Sequence, residues 1–351
     1  MKEHKISLFI LLAFAAAIPF YAQKVDEEEL KSTGNDTIVF INYTGPHSKI
    51  DSLSSIKQLG TDLGAEVAKD TSKTVSAGNS AKYSVIHAID PSEKDRLDAD
   101  IILIGSDATV DHIDNLRHII ASYLAAAYGY SEKDAETVAV FVTVYNAVYR
   151  GNLDTFQKKY KKIVLDNLTS ANCGLSVNYS DWPGKSQIVI PLYDVNGGLS
   201  TVDTSVISDT QVVKSMQEDD DRNVESRKEM VDIKEREAEN AAKKAQEAQK
   251  NAVQEQKKLN EEKQKTEVAR KEAETAVTQA EEAQKKAEEE PDNKEAAKEA
   301  EEKKIEAEEK QAAYEEQKTA QEEQQAVAEN AAKEASGQQA VADRKTAEAQ
   351  E

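Results

Sequence analysis

The chain divides by pattern into two unlike parts. From residue 222 to residue 335 it is almost pure Ala, Glu, Lys and Gln, with Tyr314 its only aromatic and Pro291 its only proline. Strong helix formers with so few breakers predict helix along most of that length. A heptad frame started at Val224 puts Val231, Ala238, Ala245, Ala252, Leu259, Thr266, Ala273, Ala280 and Ala287 at one position of the repeat. Ala241, Ala248, Ala269, Ala276 and Ala283 hold the second, interrupted by Glu255 and Glu262. Such a repeat predicts a seam of the kind found in a coiled coil or a helical hairpin. Alanine knobs are small, and burial is worth only about 25 cal/mol per Å². A solitary charged rod competes with the seam. Glu239 and Lys243, Glu267 and Lys271, Glu281 and Lys285, and Glu282 and Lys286 stand in the favourable four-residue order, each pair worth about 0.2–0.5 kcal/mol. Pro291 turns the residue before it away from the α region, so the first helix should end near Glu289 or Glu290. Asp292 and Glu295 have capping-box spacing and restart a second helix. In that helix the frame is lost, with Ile305 and Tyr314 off the seam. It either folds back on the first or extends it as a bent rod.

The preceding stretch alternates short apolar runs with helical periodicity. Residues 37–42 read as a buried strand, and residues 48–69 as a helix facing inward through Ile50, Leu53, Ile56, Leu59, Leu63 and Val67. Residues 82–89 and 99–104 read as further strands, the latter apolar, which predicts a parallel or mixed sheet. Three helices follow. Asp111 is placed to cap the first and Ser131 the second, and Gly151 ends the second. The third turns Leu153, Phe156, Tyr160 and Ile163 inward and Lys158, Lys159, Lys161 and Lys162 outward. Residues 175–179, 187–192 and 198–202 read as strands, and residues 208–216 as a last short helix. The expected fold class is an α+β or α/β domain with a mixed sheet over residues 37–221. It is followed by the helical region 222–335, broken near residue 291, and a polar tail, 336–351.

The N-terminus has the form of a secretory signal peptide over residues 1–22. Lys2 and Lys5 precede an apolar run, and small Ala22 precedes the expected cleavage. The run is too short for a membrane span, so none is expected beyond the signal peptide. Residues 23–36 are an acidic linker. Export to the periplasm or outer envelope follows. Cys173 is the only thiol, so no internal disulfide forms. The net charge of −21, from 45 basic and 66 acidic residues, repels nucleic acid and anionic lipid.

Candidate chemistry is sparse. Asp111, His112, Asp114 and His118 crowd a helix start, but the two histidines lack the four-residue spacing of a metal pair. The structural reading, with Asp114 beside His118, outweighs metal. Asp203-Thr204-Ser205 resembles a fragment of the metal-ion motif of von Willebrand-type adhesion domains, without its partner on the first strand. Asp194 to Gly198 begins like a calcium loop yet has no closing Glu and reads as a hairpin turn. No phosphate loop or nucleophile elbow occurs, so no catalytic, cofactor or metal residue is assigned and no enzyme is expected. If the domain binds a ligand, the loops after its strands would face it, through Tyr43, His47, Ser106 and Asp107. Partners expected are a second copy through the helical region, or an envelope or host protein.

Six stretches carry a family resemblance: VDHIDNLR (110–117), AAAYGY (125–130), VYNAVYRG (144–151), DWPGKSQIVIPL (181–192), VDTSVISD (202–209) and RKEMVDIKERE (227–237). Over most of residues 36–240 the chain resembles the spirochaetal antigen family named for the Borrelia 83/100 kDa antigen and found also in treponemes. That resemblance implies an exported antigen, envelope- or vesicle-associated, with a central charged coil. It implies no active-site residues. Members often carry a further domain after the coil; this chain stops within it, as a short member or an incomplete one.

Overall fold

A computed structural model describes residues 37–45, 52–70, 74–79, 82–93, 96–195, 199–216 and 223–350. Its sheet runs in the order β1 (Val75–Asn79), β2 (Tyr83–Ala88), β3 (Asp98–Ile104), β4 (Ser186–Val195) and β5 (Leu199–Val202). Every neighbouring pair is antiparallel, with Ile86 opposite Ile101 and Ile102 opposite Ile188. The apolar character of β3 reports burial on both faces and leaves direction open. The short link from Asn79 to Tyr83 admits only a hairpin. β1, with Ser, Ala, Gly and Asn in it, has little strand propensity and gave no signal.

Residues 37–42 do not join the sheet. Ile41 makes one parallel bridge to Asn178, and Val39 and Ile41 stay exposed while Phe40 turns into the core. Residues 175–179 likewise form no strand and lead into a 3-10 turn, Tyr179–Asp181.

Between β3 and β4 come α2 (Ile113–Tyr128), α3 (Glu132–Val148), α4 (Leu153–Lys159) and α5 (Lys162–Leu165). α1 (Leu53–Ala68) lies against α2 so closely that a Cβ on Gly60 would stand 2.1 Å from the Ile119 carbonyl oxygen. Ser131 caps α3 as expected, its hydroxyl accepting from the Asp134 N–H. α3 is buried along nearly its whole length, and α2, β4 and the short helices α6 (Thr204–Ile207) and α7 (Thr210–Ser215) pack on it. Such a helix is apolar all round because it has no solvent face. Its Asn146 carboxamide accepts from the Val189 N–H and donates to the Val189 carbonyl, both at 2.8 Å, satisfying β4 beyond the end of β5.

The expected third helix is broken between α4 and α5. Tyr160 is extended and bridges Leu97, which draws Lys161 inward rather than outward. Its ammonium lies 2.7 Å from Asp98 and 2.7 Å from the Asp90 carbonyl, fully buried. Asp100, inside the strand read as apolar, is also buried. It meets His87 Nδ1 at 2.5 Å and accepts from the Tyr123 and Tyr128 hydroxyls.

Two long helices complete the chain, α8 (Asn223–Glu289) and α9 (Lys294–Gln350). They break at Pro291, and Asn293 caps α9. Cross-contacts pair Lys286 with Glu299, Lys310 with Glu272, Thr266 with Gln317 and Gln324 with Glu255. Ascending numbers on α8 meet descending ones on α9, so the helices form an antiparallel hairpin. The expected stripe on α8 is the buried one: Ala238, Ala241, Ala245, Ala248, Leu259, Thr266, Ala273, Ala276 and Ala283. The frame also survives on α9. Ala296, Ala300, Lys303, Ala307, Lys310, Tyr314 and Gln317 step by alternate threes and fours and turn inward. Lys and Gln stems do there what alanines do elsewhere, which hid the repeat. Residues 336–350, read as a polar tail, continue α9 and return to the domain.

Candidate functional site

The loops expected to face a ligand sit apart from the features richest in buried chemistry. Tyr43 lies edge-on to Tyr179, with ring centroids 5.7 Å apart, and its N–H donates to the Asp111 carbonyl. Ser106 and Asp107 are exposed after β3 and joined by a 3.4 Å hydrogen bond. His47 lies outside the described residues. At the start of α2 the cap is His112 rather than Asp111, its Nδ1 accepting from the Asp114 N–H. Among the described residues no group of three or more His, Cys, Asp or Glu is placed to hold a metal.

The densest charged cluster lies where the hairpin is rooted. Lys345, near the end of α9, is buried; it donates to the Val202 carbonyl at 2.8 Å and to Glu348 at 2.9 Å, and forms an ion pair with Glu237 at 2.8 Å. Two carboxylates and a carbonyl thus surround the ammonium. Glu348, fully buried, accepts from the Thr204 hydroxyl at 2.8 Å and from Arg344 Nε at 3.2 Å. Asp203 caps α6 through the Val206 N–H, accepts from Ser205, and binds Arg344 at 2.6 Å. The carboxylate that resembled part of a metal motif is therefore held by a guanidinium. Arg344 also lies over the Tyr193 ring, 5.1 Å from its centroid.

The first turns of α8 grip the other side. Glu229 accepts from the Thr137 hydroxyl at 2.6 Å and pairs with Lys133 at 3.0 Å. Arg236 meets Asp134 at 2.7 Å, and the Tyr130 hydroxyl donates to Glu237 at 2.6 Å. Both strands of the hairpin are thus clamped to one end of the domain, with Glu237 and Lys345 joining them.

Burial and the adjoining charges shape the titration of this root. Burial pushes the Tyr130 hydroxyl well up, and the Glu237 carboxylate adds to it. Burial and then Asp100 do the same to Tyr128. Burial works against the Lys345 charge, but Glu237 and Glu348 together outweigh it and raise its value. Glu348 is pushed up by burial, with Asp203 adding repulsion against the pull of Lys345.

Between the root contacts opens a cleft of about 440 Å³, walled by the end of α2, the start of α8 and the end of α9. Tyr128 and Tyr130 line it, so it touches both the root cluster and the Asp100–His87 pair behind Tyr128. Sequence reasoning missed Glu237, Arg344, Lys345 and Glu348, whose partners lie about a hundred residues away or sit in an apparently featureless tail. One signal did point here. Three of the stretches carrying the family resemblance (125–130, 202–209 and 227–237) supply Tyr128, Tyr130, Asp203, Thr204, Glu229 and Glu237, and they meet at this root.

The fold and its root define a class: an α+β domain clamped to the open end of a long antiparallel helical hairpin. The chain belongs to a family of spirochaetal antigens, the one described as Borrelia P83/100 protein, whose model matches residues 27–351. No curated protein and no solved structure matches it. Among the described residues no helix is long and apolar enough to cross a membrane.

Proposed function

We propose that this is an exported envelope protein with a structural and interactional role, in which the hairpin is a rigid strut projecting from the α+β domain. The observation that carries this is the two-sided clamp: buried Lys345 and Glu348 fix α9, while Glu229 and Arg236 fix α8. A strut with one end so held cannot swivel freely on the domain. From Lys244 to Glu289 a helix rise of 1.5 Å per residue carries the Pro291 tip roughly 70 Å beyond the root. Export rests on the N-terminal pattern over residues 1–22, upstream of the family match at residue 27. A surface or envelope location fits an antigen family. The seam that would have joined two copies is filled by α9 of the same chain, so the strut acts through its tip and outer faces. The role proposed is non-catalytic, in keeping with a His87–Asp100 pair that is fully buried and whose carboxylate oxygens are both hydrogen-bonded.

The test is to shorten the strut without disturbing its root. Removing three heptads from each arm next to Pro291 keeps the pairing register and withdraws the tip by about 30 Å. The proposal expects the mature chain, starting at Gln23, to fractionate with the envelope, and the shortened one to fold but lose that association. Equal retention of both would sink the strut. An uncleaved chain, still carrying residues 1–22 and found in the cytoplasmic fraction, would sink export.

A further inference from the structure

We infer that the cleft at the hairpin root binds a small organic carboxylate with an apolar body. Its volume of about 440 Å³ falls in the range of small-molecule sites, roughly 300–1,000 Å³, and it lies at a junction of structural units, where such sites concentrate. The hydroxyls of Tyr128 and Tyr130 are engaged by Asp100 and Glu237, so these residues offer the cleft their rings. Ile233 and Val341 extend that apolar wall.

The charged lining sorts into pairs with one residue left over. Arg236 is matched by Asp134 and Lys345 by Glu237. Lys244 lines the same cleft and has no ion-pair or hydrogen-bond partner among the described residues, and the same holds for the side chains of Asn240 and Gln338. One ammonium and two carboxamides therefore line the cleft beside an apolar wall with no protein partner among the described residues. On a chain of net charge −21 an unmatched cation beside such a wall selects an anion, and a carboxylate accepts from both an ammonium and amide N–H groups. Residues of α2, α3, β5, α8 and α9 line the cleft, so an occupant also bridges the domain to both arms of the strut.

The experiment uses the full chain, labelled with ¹⁵N, titrated with hexanoate, hexylamine and hexanol as three probes of equal chain length. Expected are saturable shifts of the Gly129 backbone amide and of the Asn240 and Gln338 side-chain amides with hexanoate. Hexanol should bind more weakly, and hexylamine weakest. Lys244→Glu alters an exposed residue and should weaken hexanoate about fivefold or more, leaving the rest of the spectrum in place. Gln338→Ala should weaken it while preserving the preference for the anion. The inference is overturned if hexanoate moves none of these signals, if hexylamine matches it, or if Lys244→Glu leaves its affinity unchanged. Binding to the folded state predicts in addition that hexanoate raises the unfolding temperature, the stabilisation growing with the logarithm of its concentration above Kd. A shift that Lys244→Glu does not diminish would count against the assignment.

Discussion

Lys161 shows how far a single side chain can depart from its pattern. By helical periodicity it belongs on the wet face with Lys158, Lys159 and Lys162. Yet Tyr160 leaves the helix to bridge Leu97, and the next residue is carried into the core against Asp98. The pair is fully buried, and Asp98 also accepts from the Asp90 N–H at 2.9 Å. Removing one partner leaves an uncompensated charge away from water, so Lys161→Met is expected to destabilise the domain by about 3–5 kcal/mol in urea unfolding. Replacing both, as Lys161→Met with Asp98→Leu, should recover most of that loss. A double variant as unstable as the single one would show that the Asp90 contacts, and not the charge pair, set the cost. Nothing in the local sequence could signal the pair, because its members stand 63 residues apart and meet through an irregular link. The same holds for Lys345 and Glu237. Ser131 as the cap of α3 was legible because a cap is a local device.

At the scale of elements, what could be read was periodicity, and what could not was direction and close approach. The strip on α8 is buried as its heptads require, whereas the matching strip on α9 was disguised by Lys303, Lys310 and Gln317. A strand buried on both faces looked fit for a parallel or mixed sheet, though burial has no polarity. The α1–α2 contact was silent too, because Gly60 and Gly64 have no side chain with which to enter an apolar pattern. They are in fact where two backbones touch: a Cβ on Gly64 would stand 2.5 Å from the Tyr123 carbonyl oxygen and 2.8 Å from Ala126 Cβ. Both obstacles are fixed, so the helices must part. Gly64→Ala is accordingly expected to lower stability by about 1–3 kcal/mol despite the better helix propensity of alanine. Gly129, the left-handed cap of α2 with φ +74°, has open space where a Cβ would go. Gly129→Asn should therefore be nearly neutral, since Asn tolerates that conformation. If calorimetry ranks the two variants the other way, the close packing of α1 on α2 is wrong.

For the whole molecule, the balance of titrating groups sets a sharp alkaline limit. Seven tyrosines, at positions 83, 123, 128, 130, 145, 149 and 160, are raised above the ordinary value of 10.0, in each case chiefly by burial. A tyrosine raised on folding holds its proton more tightly folded than unfolded. Its contribution is therefore undiminished below pH 10.0 and is lost as the pH climbs through and beyond that value. Lys345, raised above 10.5 by Glu237 and Glu348 against its burial, works in the same sense from 10.5 upward. Glu348, raised above 4.5 chiefly by burial, has the same sign in a different window. The folded state is relieved of that penalty as the pH falls through the raised value, so mild acid favours the root. The many exposed pairs along the strut count for little in either direction. Near-UV circular dichroism is thus expected to be flat from about pH 6 to 9 and to collapse cooperatively somewhat above pH 10. The 295 nm absorbance of ionising tyrosines should rise in the same step rather than follow independent titrations. Tyr130→Phe removes one such group and leaves Glu237 paired with Lys345, so it should move the step to higher pH. Smooth, unlinked ionisation with the near-UV signal intact beyond pH 11.5 would show that these tyrosines are solvated, and that the domain around the strut's root is looser than its contacts describe.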